Sequence, residues 1–202
     1  MKKIILDDQS YITPTWEEMG RLCFNLSKTI LAKNLRFDRL IALAKGGLTW
    51  SRTLADYLGI DKLSVTQIKF YSDIGKTHKQ PVILQSLPVS IDQERVLLFD
   101  DVADSGETLK LAKDYLVMCG ARNVSTATLF TKTWVGTKPD FVTATTNAWI
   151  IFPHEIREMI TLLSKKWHGV SHREKTKRLL TLGFPENQVN FFLNKKLKSV
   201  IE

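Results

Sequence analysis

The chain has 202 residues, 44% hydrophobic and 25% charged, with a formal net charge of +8. That length and composition suit one well-buried α/β domain plus an appendage, and they exclude a disordered or fibrous chain. No apolar run is long enough to span a bilayer, so a membrane is excluded as a partner, while an excess of positive charge admits an anionic substrate, nucleic acid or an acidic surface.

The N-terminal M-K-K-I-I-L-D-D-Q-S turns acidic after three apolar residues, which does not fit a secretory signal. Thr13-Pro14-Thr15 follows, and Thr15 with Glu18 three residues later forms a capping box for a helix over Trp16–Ala32. Its apolar stripe is Trp16, Met19, Leu22, Cys23, Leu26 and Ile30. Cys23 and Cys119 have neither metal nor redox spacing and predict two buried free thiols in a reducing, cytoplasmic compartment. Arg39–Ala44 reads as a buried strand, Lys45-Gly46-Gly47 as a turn able to expose amides to an anion, and Leu48–Leu58 as a helix stopped by Gly59. Leu63–Tyr71 alternates as a strand and is expected to form a hairpin with Val82–Leu87 across a polar loop. That loop contains Gly75-Lys76-Thr77, but a phosphate-binding P-loop would need glycine at position 70, which is Phe.

The most informative stretch is Val96–Leu109, V-L-L-F-D-D-V-A-D-S-G-E-T-L. Four apolar residues form a strand that runs into Asp100, Asp101 and Asp104, then Ser105-Gly106-Glu107-Thr108 opens a helix that ends near Gly120. Unpaired amides and the positive end of the helix dipole at Ser105–Thr108 make an anion site, Gly106 permits close approach, and the two hydroxyls add donors. Three carboxylates beside that site would repel a bare phosphate. The conflict is resolved by a ligand that carries hydroxyls or brings a divalent cation, and Mg2+ is held by one or two carboxylates plus substrate phosphates. A phosphorylated sugar with a Mg2+-bound diphosphate meets both conditions.

Asn123–Phe130 is the next strand, ending at Thr131-Lys132-Thr133, and Phe141–Ala144 with Ala148–Phe152 suggests a small hairpin. In Met159–Glu202 nine Lys and Arg outnumber three Glu, and apolar spacing predicts two short helices about a Gly183-Phe184-Pro185 turn. His168 and His172 stand four apart without an acidic or Cys neighbour, a poor metal pattern.

The stretch Val96–Thr108 resembles, at every position, the 5-phosphoribosyl-1-pyrophosphate (PRPP) signature of type I phosphoribosyltransferases: an apolar strand, two acids, an apolar residue, any residue, Asp, Ser/Thr, Gly, any residue, Thr. The resemblance covers roughly residues 15–158. It implies a parallel central sheet flanked by helices with a small hood, over residues 1–158, and a basic helical extension over 159–202. It further implies that PRPP is bound by Lys45, Gly46, Gly47, Asp100, Asp101, Ser105, Gly106, Glu107 and Thr108, with Asp100 and Asp101 also at Mg2+ and Asp104 as the catalytic carboxylate. The Lys45–Gly46 peptide is implied to be cis, and Tyr71, Ser72 and Lys76 to belong to a flexible lid. Lys132 resembles the lysine that donates to the oxygen at C6 of a purine. N-A-W-I-I-F-P-H-E resembles the base-binding hood of xanthine/guanine/hypoxanthine enzymes, with Trp149 stacking on the base and Ile150 offering its carbonyl. Ile151 replaces a Glu of the bacterial xanthine/guanine enzyme and His154 replaces its second Trp, so the resemblance does not choose among the three bases. The implied activity is transfer of phosphoribose from PRPP to a 6-oxopurine by a cytoplasmic homo-oligomer. Competing readings are transfer to another base and a PRPP-sensing regulator that contacts nucleic acid through the basic extension.

Overall fold

The computed structural model describes residues 1–72 and 79–194, with 69–72, 79–81 and 194 described by backbone alone. In chain order the elements are β1 (Lys3–Leu6), β2 (Gln9–Ile12), α1 (Trp16–Leu31), β3 (Arg39–Ala44), α2 (Leu48–Leu58), β4 (Lys62–Ser72), β5 (Lys79–Gln85), β6 (Arg95–Ala103), α3 (Glu107–Met118), β7 (Asn123–Thr131), β8 (Phe141–Thr145), β9 (Trp149–Ile150), α4 (Ile156–Lys166), α5 (His172–Thr181) and α6 (Glu186–Asn194). They divide into two compact units, residues 19–146 and residues 1–18 with 147–202. Residue 158 lies inside α4.

In the first unit six strands form one sheet in the order β5-β4-β3-β6-β7-β8, parallel except for the β4–β5 hairpin. Leu40–Leu43 and Val96–Phe99 are almost wholly buried, as strands covered by helices on both faces must be. β3 leads through α2 to β4 on one side, and β6 leads through α3 to β7 on the other. The winding therefore reverses between β3 and β6, which pair in parallel from Arg39↔Val96 to Ala42↔Phe99. In open α/β sheets ligands bind beyond the carboxyl ends of the strands at such a reversal.

The opposite end of those two strands carries an ion-pair network. Arg39 grips Glu94 with two hydrogen bonds (2.7 and 3.1 Å) and donates to Ser64, while Lys62 reaches the same carboxylate at 2.7 Å. Arg95 is likewise bidentate on Asp38. The Glu94 side chain is only 13% exposed. Arg39 above all, with help from Lys62, holds its carboxyl below the usual range against the opposing effect of burial. Glu94→Ala would leave the Arg39 charge buried and uncompensated, and should cost about 3 kcal/mol in urea unfolding. Because the folded-state carboxyl titrates lower than the unfolded one, its contribution is present above the unfolded value and is lost as pH falls through the folded one. The gap between wild type and variant should therefore shrink below pH ~4.

In α1, Met19, Cys23, Leu26 and Ile30 are buried as the stripe requires, whereas Trp16 is exposed. The capping box forms as expected: the Thr15 amide donates to Glu18 at 2.9 Å and the Glu18 amide to Thr15 Oγ1 at 3.1 Å. Burial pushes the Cys23 thiol up to about 12, so it packs as a small hydrophobe. Cys119 is only partly buried.

In the second unit β1 and β2 form a hairpin about Asp7 and Asp8, both at positive φ (49° and 61°) as a tight hairpin turn demands. β9 adds to β2 in parallel, with Tyr11↔Trp149 and Ile12↔Ile150. The expected 141–144/148–152 hairpin is thus absent, because β8 completes the edge of β7 and β9 completes the edge of β2. Tyr11, Ile151, Met159, Ile160, Leu163, Leu179, Leu182, Phe184 and Val189 share one core, which draws α4, α5 and α6 together with the N-terminal hairpin. The two helices expected about 183–185 are α5 and α6, and α4 precedes them. Ser171 caps α5 by accepting from the Glu174 amide. Among the described residues no helix is long and apolar enough to cross a membrane.

Candidate active site

The carboxyl ends of β3 and β6 bring the first two predicted clusters together. After Ala44 the chain makes the Lys45-Gly46-Gly47 turn, closed by Gly47 N–H to Leu43 C=O at 2.9 Å and Leu48 N–H to Lys45 C=O at 3.1 Å. The cis peptide is Ala44–Lys45, one bond before the position the resemblance implied. Both glycines are required by close approach. A Cβ on Gly46 would collide with Asp101 Oδ1 and lie 2.8 Å from Asp100 Oδ1. One on Gly47 would collide with the Phe99 carbonyl and lie 2.9 Å from the Leu43 carbonyl. The glycine turn is thus seated directly on the acid pair.

Asp101 is 3% exposed, Asp100 is half-buried, and the Asp101 amide donates to Asp100 Oδ1 at 2.9 Å. Two adjacent carboxylates opposed by a turn without side-chain bulk are hard oxygen donors. This donor set fits Mg2+.

Beyond the pair, Asp104 and Ser105 are exposed and Gly106 caps α3 at φ 83° without a side-chain cap. Helix α3 is twelve residues long, so its first-turn amides and dipole face this loop. The Glu107 amide donates to Ser105 Oγ at 3.2 Å, and Thr108 is half-buried in the first turn. Gly106 has a second reason that the sequence did not disclose: a Cβ there would collide with the Thr137 carbonyl. The Gly136 amide also donates to the Ser105 carbonyl at 3.0 Å. Gly106→Ala combines left-handed strain with that collision and should cost about 2 kcal/mol or more in denaturant unfolding.

Lys132 follows β7, and its amide donates to the Ala103 carbonyl at 3.1 Å. It is 7% exposed, not a solvated strand-end lysine. Burial lowers its ammonium from the ordinary lysine value, and the Asp104 charge works against that. The sequence missed Trp134. Its indole N–H donates to Asp104 Oδ1 at 2.8 Å, and its ring centre is 5.6 Å from Lys132 Nζ. The available signal was a large aromatic two residues after a lysine at a strand end.

In the second unit Trp149 is half-exposed and Ile150 is buried in register with Ile12. Of the residues expected in a lid, Lys76 lies outside the described residues, and Tyr71 and Ser72 end β4 as backbone only.

The phosphoribosyl transferase domain family model matches residues 15–156. The chain belongs to that family. A purine phosphoribosyltransferase from Pyrococcus horikoshii Ot3 superposes with a TM-score of 0.64 at 31% identity, covering 71% of this chain and 93% of that one. Xanthine-guanine phosphoribosyltransferase of Gluconobacter oxydans (strain 621H) is 26% identical over 106 residues, 52% of this chain. That alignment spans 63% of the relative's length, less than two thirds of it. A bifunctional protein PyrR of Bacillus mycoides (strain KBAB4) is 27% identical over 130 residues, 59% of this chain and 68% of its own. The mostly parallel central sheet with its flanking helices matches the type I phosphoribosyltransferase fold.

Proposed function

We propose that this protein transfers the 5-phosphoribosyl group of PRPP to a 6-oxopurine, giving the nucleoside monophosphate and diphosphate. The observation that carries the reading is the Gly46 turn lying against Asp100 and Asp101, on the strand that runs into the glycine-capped start of α3, since amides for phosphates and acids for hydroxyls then come from adjoining segments. The loop Ser105, Gly106, Glu107 and Thr108 holds the 5-phosphate and fixes the sugar. Lys45 with Gly46 and Gly47 binds the diphosphate. Asp100 and Asp101 accept from the ribose hydroxyls and hold Mg2+, which when bound supplies positive charge for the departing diphosphate.

As the bond from C1 to the diphosphate oxygen breaks, its electron pair leaves with diphosphate and C1 becomes oxocarbenium-like. The purine ring nitrogen forms the new bond to C1, and Asp104 accepts or shares the N7 proton. Lys132 donates to the oxygen at C6, which favours a 6-oxopurine over adenine. Trp149 and Ile150 are assigned to the base by resemblance, and Tyr71, Ser72 and Lys76 to a lid that excludes water.

The test is diphosphate release from PRPP and Mg2+ with guanine, xanthine, hypoxanthine, adenine and uracil in turn. Release with a 6-oxopurine is the expected result, and release only with adenine or uracil would overturn the assignment of the base. The PyrR relatives favour a second reading, a PRPP-sensing regulator that contacts nucleic acid through the basic residues of 159–202. PRPP-modulated, salt-dependent nucleic-acid binding without turnover would establish it instead.

A further inference from the structure

We propose that Trp134 is a positioning residue that sets the catalytic carboxylate of Asp104. The inference rests on the phosphoribosyl-transfer reading above and adds to it a residue outside the PRPP signature. Asp104 is exposed at the end of a strand, where an unrestrained carboxylate samples several rotamers. The Trp134 N–H fixes one oxygen at 2.8 Å, which leaves Oδ2 as the atom that meets the substrate proton.

The donor is itself firmly mounted. Its neighbour Val135 is buried in the main core with Ala103 and Leu109, and the Val135 amide bonds back to the Lys132 carbonyl. Gly136 and Thr137 lock onto Ser105 and Gly106. The segment 132–137 therefore holds the indole and the PRPP loop in one frame. On the other side Lys132 Nζ lies near the indole ring, and a cation there draws electron density from the ring and strengthens the N–H as a donor. Lys132, Trp134 and Asp104 thus form a chain from a base-binding residue to the residue that takes the proton.

The test is a double-mutant cycle with steady-state kinetics on the full chain. Trp134→Phe keeps a ring beside Lys132 and removes the N–H. It should lower kcat roughly tenfold while leaving KM for PRPP and the melting temperature unchanged. Trp134→His restores an N–H donor and should recover part of that loss. In an Asp104→Ala background Trp134→Phe should change kcat less than about twofold, since no carboxylate remains to be set. An unaltered kcat for Trp134→Phe, an equal loss in the Asp104→Ala background, or a loss confined to KM or melting temperature would overturn the proposal. Activity of the wild type with any base separates these results from a failure of the reaction assignment. A wild type inactive with every base would remove both.

Discussion

Asp104→Asn should lower kcat for nucleotide formation by about 100-fold or more, the size of effect expected when a positioned acid–base group is lost. The substitution is nearly isosteric, and the Asn carbonyl can still accept from the Trp134 indole that holds Asp104 Oδ1 at 2.8 Å. What it removes is the ability to take a proton. Asp104 stands apart from the Asp100–Asp101 pair, which Gly46 touches, so KM for PRPP should change by less than about threefold. Steady-state kinetics with PRPP and base varied separately checks both halves. A kcat within a factor of three of wild type would show that the proton goes elsewhere.

Gly46→Ala should weaken Mg2+-dependent PRPP binding by about 100-fold. The added methyl would collide with Asp101 Oδ1 and press on Asp100 Oδ1. Asp101 is buried, so either the Lys45–Gly47 turn moves or the acid pair separates. Both break the cradle, and about 3 kcal/mol of lost binding is the corresponding order. Gly59→Ala is the matched control. It too is a glycine beside the same helix, at φ 65°, but its added Cβ would meet nothing within 4 Å. It should cost about 1 kcal/mol of stability from left-handed strain and leave PRPP affinity as it was. Isothermal titration of the two variants separates local strain from damage to the cradle.

The parts of this architecture that depend on short-range chemistry were legible in the sequence. The Thr15–Glu18 box, the Gly59 stop and the strand-to-helix unit at 96–109 follow from residue types at fixed offsets, and they lie where those offsets put them. Partner choice between strands was not legible. Phe141–Ala144 and Ala148–Phe152 look like a hairpin locally, yet β8 pairs with β7, the strand before it, and β9 pairs with β2 near the start of the chain, a choice of partner that the three residues between them do not encode. Residue types alone singled out the acids and the glycines, and the fold sets Gly46 against Asp100 and Asp101. Trp134 and Thr137 could not be. Their roles come from a loop after β7 folding back onto Ser105 and Gly106, a contact between segments about thirty residues apart that no spacing rule encodes. The same limit applies to the ion pairs Arg39–Glu94 and Arg95–Asp38, whose partners stand more than fifty residues apart.

The central claim is that a phosphorylated sugar is held where β3 and β6 end, with Asp100 and Asp101 acting through Mg2+. Calorimetric titration of the full chain with PRPP, with Mg2+ present and then removed by chelation, tests it most directly. The account predicts saturable one-to-one binding with Mg2+ that weakens at least about tenfold on chelation and on Asp101→Asn. No heat of binding with Mg2+ present, or an affinity that neither change disturbs, would contradict it.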